Sequence, residues 1–175
     1  MKSLKRFIPT KLKLKVDESK SAVAEPRERK FLGFSFTSGE PPKRRIAPKA
    51  VKRFKERVRE LTSRTRGISI ERMAKELTLY LRGWIGYFGK CQTPSVLKSL
   101  EEWMRRRLRS VIWKQWKRGT VRYRELRKRG VDSALAAKTA GSAHGPWRLA
   151  LSPGLALALP NAYFDSLGIP KLTLR

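Results

Sequence analysis

Five side chains between residues 105 and 117 have the types and spacing to hold a polyanion. On a helix, Arg105, Arg106, Arg109, Trp113 and Lys117 fall on one side, and Leu97, Leu100, Met104, Leu108 and Val111 fall on the other. Cations on such a face neutralise phosphates, and an indole among them offers a stacking surface to an unpaired base. The alternative is a solvated helix surface. Against it, residues 103–130 hold twelve Lys and Arg but only one acid, Glu125, so i,i+4 ion pairs within the helix cannot neutralise the stripe. Arg122 and Arg124 extend the same charge, and Lys43, Arg44 and Arg45 form a second patch. Trp113 has two readings of equal weight: stacking on a base, or packing against another element.

Chemistry of other kinds has little to work with. One cysteine, Cys91, and one histidine, His144, do not make a four-ligand zinc site or an internal disulfide. Cys91 reads as a small thiol in or near the core, and His144 as a loop residue. Asp17 and Glu18 are flanked by lysines and read as a turn at a strand end. No nearby Asp pair offers the two-metal geometry of nucleotidyl transfer. No catalytic residue, metal or cofactor is expected.

The composition agrees with a binding role. The 175 residues carry 42 Lys and Arg against 14 Asp and Glu, a formal charge of +28, which favours a polyanionic partner. Forty per cent hydrophobic content, with five Trp and seven Phe, is too apolar for a disordered basic tail. No apolar run is long enough to span a membrane, so no membrane partner is expected. The basic start is broken by Pro9, so a secretory signal is not expected either; a lone cysteine suits a reducing compartment, and the cytoplasm is the default. The last 37 residues are nearly neutral and rich in Leu and Ala, which argues for packing rather than for a charged contact.

The elements that position these residues follow from periodicity. Residues 11–16 alternate Lys with Leu or Val and predict a strand; residues 31–37 predict a second, with Gly33 marking a bulge or a close backbone approach. Residues 39–47 read as an extended basic linker. Pro48 opens a helix to about 64 on Val51, Phe54, Val58 and Leu61. Ser69 caps a second, with Ile70, Met73, Leu77, Tyr80, Leu81, Trp84 and Phe88 as its apolar stripe; Gly83 and Gly86 would let a neighbour approach closely. Thr93-Pro94 opens the third helix, which carries the arginines. A short basic helix spans about 120–129, Asp132 caps another, and Asn161 caps a last one ending at Gly168. The expected class is mainly α: a three-helix bundle after a short strand pair, with small helices at the C-terminus.

Several segments resemble a known family. Lys13 to Ser21 (KLKVDESKS) and Lys30 to Phe36 (KFLGFSF) resemble the last palm segments of group II intron reverse transcriptases. Leu81-Arg82-Gly83-Trp84-Ile85-Gly86-Tyr87-Phe88 is similar to the signature of their maturase-specific domain, and Trp103 to Arg109 with Trp113 to Lys117 is similar to the helix that follows it. Gly145-Pro146-Trp147 and Asn161 to Gly168 resemble the C-terminal region of bacterial members. The resemblance implies a palm remnant at 1–38, a linker at 39–47, the helical thumb or maturase-specific domain at 48–130 and a C-terminal appendage at 131–175. It also implies binding of group II intron RNA and help with its splicing. The catalytic palm of the family, with its Tyr-Ala-Asp-Asp strand, is not in this sequence, so the chain is expected to be a C-terminal fragment that does not polymerise DNA by itself. A separately encoded palm and fingers fragment, or DNA, is a further partner this reading allows. A non-functional remnant and a general nucleic-acid-binding or ribosome-associated protein are the remaining readings.

Overall fold

Pro48 supplies the fixed φ of a first helical turn, and from it the chain builds three long helices. In the computed structural model, which describes residues 2–15, 17 and 30–173, these are α2 (Pro48–Leu61), α3 (Ile70–Phe88) and α4 (Pro94–Gln115). Before them come α1 (Lys2–Leu12) and the antiparallel hairpin β1 (Phe34–Phe36) and β2 (Arg44–Ile46). After them come α5 (Gly119–Lys128), α6 (Ser133–Ala140), α7 (Pro146–Leu149), α8 (Pro153–Ala158) and α9 (Asn161–Ser166). Ser69 caps α3 by accepting from the Arg72 N–H, and Asp132 caps α6 by accepting from Ala134 and Leu135. The mainly helical class with a short strand pair is the observed one.

The core runs without a break through all the long helices and the C-terminal ones. Phe54 and Val58 of α2, Leu77 and Leu81 of α3, and Met104 and Leu108 of α4 are fully buried. So are Leu126, Leu155, Leu159, Phe164 and Leu172. The tail is tied down by polar contacts as well: Thr78 Oγ1 donates to the Gly168 carbonyl at 3.0 Å, and Glu101 accepts from the Leu172 N–H at 2.9 Å. This packing of the near-neutral end is what its charge and leucine content implied.

Three expectations fail. Lys11 and Leu12 end a helix, and residues 13–15 are exposed without strand pairing. Alternation makes a strand only where a ladder partner exists, and Lys and Leu are good helix formers. Val16 and residues 18–29, including Glu18 of the expected turn, lie outside the described residues. The partner of 34–36 is instead Arg44–Ile46, the stretch read as linker: Phe34 faces Ile46 and Phe36 faces Arg44. Finally, Gly83 and Gly86 are exposed and face open space. Close approach is permitted instead by Gly33, at φ +79°, where an added Cβ would come within 3.0 Å of the Phe88 ring, and by Gly154, where it would run into the Thr139 side chain.

Candidate nucleic-acid interface

α4 is covered on both sides, and this redistributes the cations. Leu97, Leu100, Met104 and Leu108 of α4 share one core with the apolar residues of α2 and α3. On the other side, where the sequence places a free ridge, lie α5 and the C-terminal helices. Arg105 is 2 % exposed, with Nη2 donating to Asp165 Oδ1 at 2.6 Å. Arg106 donates through Nε and Nη2 to the Trp147 carbonyl, its guanidinium 4.1 Å from the centre of the Trp147 ring. Arg109 donates to the Leu159 carbonyl at 2.8 Å and to Asn161 Oδ1 at 3.0 Å. Burial, and then the charge of Arg105, lower the Arg109 pKa from its ordinary value. Asn161, expected as a helix cap, is thus an acceptor for an arginine, and Pro160 stands at the cap of α9.

Trp113 resolves to its second reading. It is 1 % exposed, edge-on to Trp116 at 5.9 Å, with the half-buried Arg122 guanidinium 4.8 Å from its ring centre. Arg129 covers Trp116 in the same way at 4.9 Å. These cation–π pairs join the end of α4 to α5. Arg105 and Trp113 are therefore not on an outward ridge. A helical wheel separates two faces of α4, but it cannot say that a second layer of chain covers the polar one.

What remains outside is the outer face of α5 and the turn before it. Thr120, Tyr123, Arg124, Arg127 and Lys128 are exposed and recur at steps of three and four, so they form one stripe. Lys114, Lys117 and Arg118 are exposed at the α4–α5 junction. Among the described residues none of these cations is in an ion pair, although Arg127 Nη1 donates to the Val131 carbonyl at 2.9 Å. The one acid of the segment is spent on the inner side. Glu125 is bonded to Arg129, and that bond foremost holds its carboxyl below the ordinary range. Of the sequence candidates, Lys117 and Arg124 belong to this surface, and Arg122 lies beneath it. Tyr123, 37 % exposed, is the aromatic that the sequence reading passed over. Its signal was present: it lies at i,i+4 from Arg127 and at i,i+3 from Thr120.

The second patch is partly structural. Arg44 donates to the Lys90 carbonyl at 2.7 Å and lies over the Phe34 ring, while its backbone N–H bonds Gln92. Arg45 Nε donates to Ser35 Oγ at 3.1 Å. Lys43 and Arg45 remain exposed. A cleft of about 210 Å³ beside the hairpin is lined by Lys30, Lys49 and Arg53. Cys91 is half-buried, with Sγ 3.6 Å from the Thr93 carbonyl, and His144 is exposed in a loop. No cluster of metal-ligating side chains occurs among the described residues, and no helix there is long and apolar enough to cross a membrane.

Residues 51–130, from α2 through the end of α5, match the family model of the group II intron, maturase-specific domain. This segment, somewhat under half of the chain, is similar to the maturase-specific domain of group II intron proteins. No curated protein matches it. The matched span holds the α5 stripe, the α4–α5 junction and the Trp113–Arg122 and Trp116–Arg129 pairs, whereas the helices that cover Arg105, Arg106 and Arg109 lie beyond its end.

Proposed function

We propose that this chain binds group II intron RNA and assists its splicing, using the exposed face of α5 and the α4–α5 junction. The observation that carries the reading is an unneutralised stripe of cations with an exposed tyrosine in its middle, inside the span of the maturase-specific domain. Cations set on a rigid helix bind phosphates and release counterions, and a tyrosine ring among them stacks on a base that leaves the helix. Single-stranded loops and bulges of a folded RNA present such bases. The protein would act by preferring the compact RNA conformation and so raising its population; bond breaking would belong to the RNA and its metal ions. Lys43 and Arg45, with the Lys30–Lys49–Arg53 cleft, would be a second phosphate contact.

The test is charge reversal of Arg124, Arg127 and Lys128 together. Binding to structured intron RNA should weaken, and the slope of log affinity against log salt should become shallower by about two to three, since each phosphate contact contributes roughly 0.7 to 0.9. The thermal melt should stay cooperative, because none of the three side chains is buried. An unchanged slope would move the interface elsewhere. Binding of duplex DNA as tightly as intron RNA at the same salt would favour the general nucleic-acid-binding reading instead.

A further inference from the structure

The contacts that bury Arg105 and partly cover Arg106 and Arg109 also build a cavity. It lies between α4 and the α7–α9 segment, has a volume of about 690 Å³, and is lined by Lys98, Arg105, Arg106, Arg109 and Trp147. Arg105 is the informative side chain. It is almost fully buried, and one nitrogen, Nη2, meets Asp165, with Glu101 Oε1 3.8 Å away; Nε and Nη1 are buried with no hydrogen-bond partner. Leaving donors of a buried charge unmet is costly, so the site is arranged for an acceptor that the chain does not provide. Two carboxylates, Glu101 and Glu102, also line the cavity, and Asp165 pairs with Arg105 beside it. Asp165 holds Arg105, Glu101 accepts from the Leu172 N–H, and Glu102 is exposed at the rim. Arg109, whose pKa burial and Arg105 push down, marks the same crowding of positive charge.

We propose that this cavity is a nucleotide site, with the phosphate held by Arg105 and Lys98 and the base resting against Trp147. Trp147 is 41 % exposed at the cavity wall, and Arg106 anchors it by bonding its carbonyl and covering its ring. Arginine donors fit phosphate oxygens, and an indole held in place stacks on any base. The cavity volume exceeds what an ion alone requires. The nucleotide could be free or could be an unpaired residue of an RNA strand; the recognition chemistry is the same. The site does not depend on the α5 face: no residue of α5 lines this cavity.

The experiment follows the Arg105 Nε–H resonance while adenosine monophosphate, inorganic phosphate or hexauridylate is titrated into the full chain. Adenosine monophosphate should shift it saturably, and Trp147→Ala should weaken that binding at least about fivefold, the low end of one base–aromatic stack. Phosphate should bind more weakly and be indifferent to Trp147→Ala. Lys98→Gln, on the exposed rim, should weaken all three ligands without altering the melt. If hexauridylate binds more tightly than the mononucleotide, the source is an RNA strand; if only the mononucleotide binds, it is a free nucleotide. An Arg105 signal that stays still through millimolar adenosine monophosphate overturns the site. Equal affinity for phosphate and nucleotide overturns the base contact. In the Arg124, Arg127 and Lys128 reversal the Arg105 shift should persist, which separates this site from the α5 interface.

Discussion

α4 and α5 are both arginine-rich, adjacent in sequence and joined by a tight turn, yet their cations have opposite fates. On α4 the guanidiniums at 105, 106 and 109 are consumed by Asp165, by two backbone carbonyls and by aromatic rings. On α5 those at 124 and 127, with Lys128, stand in solvent. Composition does not distinguish the two. What does is the leucine-rich end of the chain, which needs an apolar partner and finds it beside α4, so that Phe164 lies 5.5 Å from the Arg105 guanidinium and 5.7 Å from that of Arg109. An arginine can serve a protein interior or a phosphate, and the choice is made by whatever else must be buried nearby.

That comparison can be broken at its hinge. Phe164→Ala should be the most damaging single change, about 3–5 kcal/mol in urea unfolding, because the ring is fully buried and two guanidiniums rest against it. A loss below about 1 kcal/mol would mean that the appendage is only loosely applied to α4. Asp165→Asn should cost somewhat less, roughly 3 kcal/mol, since it leaves Arg105 charged with only the more distant Glu101 for company. If it instead raised RNA affinity without loss of stability, the covered arginines would be the interface and the α5 assignment would fall.

On the exposed side, Tyr123→Ala should weaken binding to intron RNA by about 1–3 kcal/mol while leaving the melting temperature nearly unchanged, and Tyr123→Phe should retain most of the affinity. Equal loss in both would point to the hydroxyl rather than the ring. The smallest effect concerns Glu125. Its carboxyl is held below the ordinary range by Arg129, so the bond stabilises the fold above the unfolded-state value and is lost as pH falls through the lower folded value. Glu125→Gln should therefore flatten the acid limb of the stability curve and leave stability near pH 7 only slightly reduced. A steeper acid limb in the variant would contradict the pairing.

Much of this was legible before any coordinates. The stripes of α2, α3 and α4, the caps at Ser69 and Asp132, and the proline starts at 48 and 94 follow from helical period and end chemistry, because those depend on neighbours three or four residues away. The resemblance of Leu81 to Phe88 to the maturase signature agrees with the matched span of residues 51–130. The strand at 11–16 misled because a ladder needs a partner that period alone does not supply. The pairing of 34–36 with 44–46, the burial of Trp113 and the covering of Arg105 are contacts between residues that no local rule connects.

By itself, then, the sequence determined that this is a strongly basic, mainly helical chain with the marks of a maturase domain, since charge and periodicity are written residue by residue. The tertiary structure alone decided which cations face water. That depends on the demand of Leu155, Leu159, Phe164 and Leu172 to leave water, and burial of one segment is always settled by the surface of another.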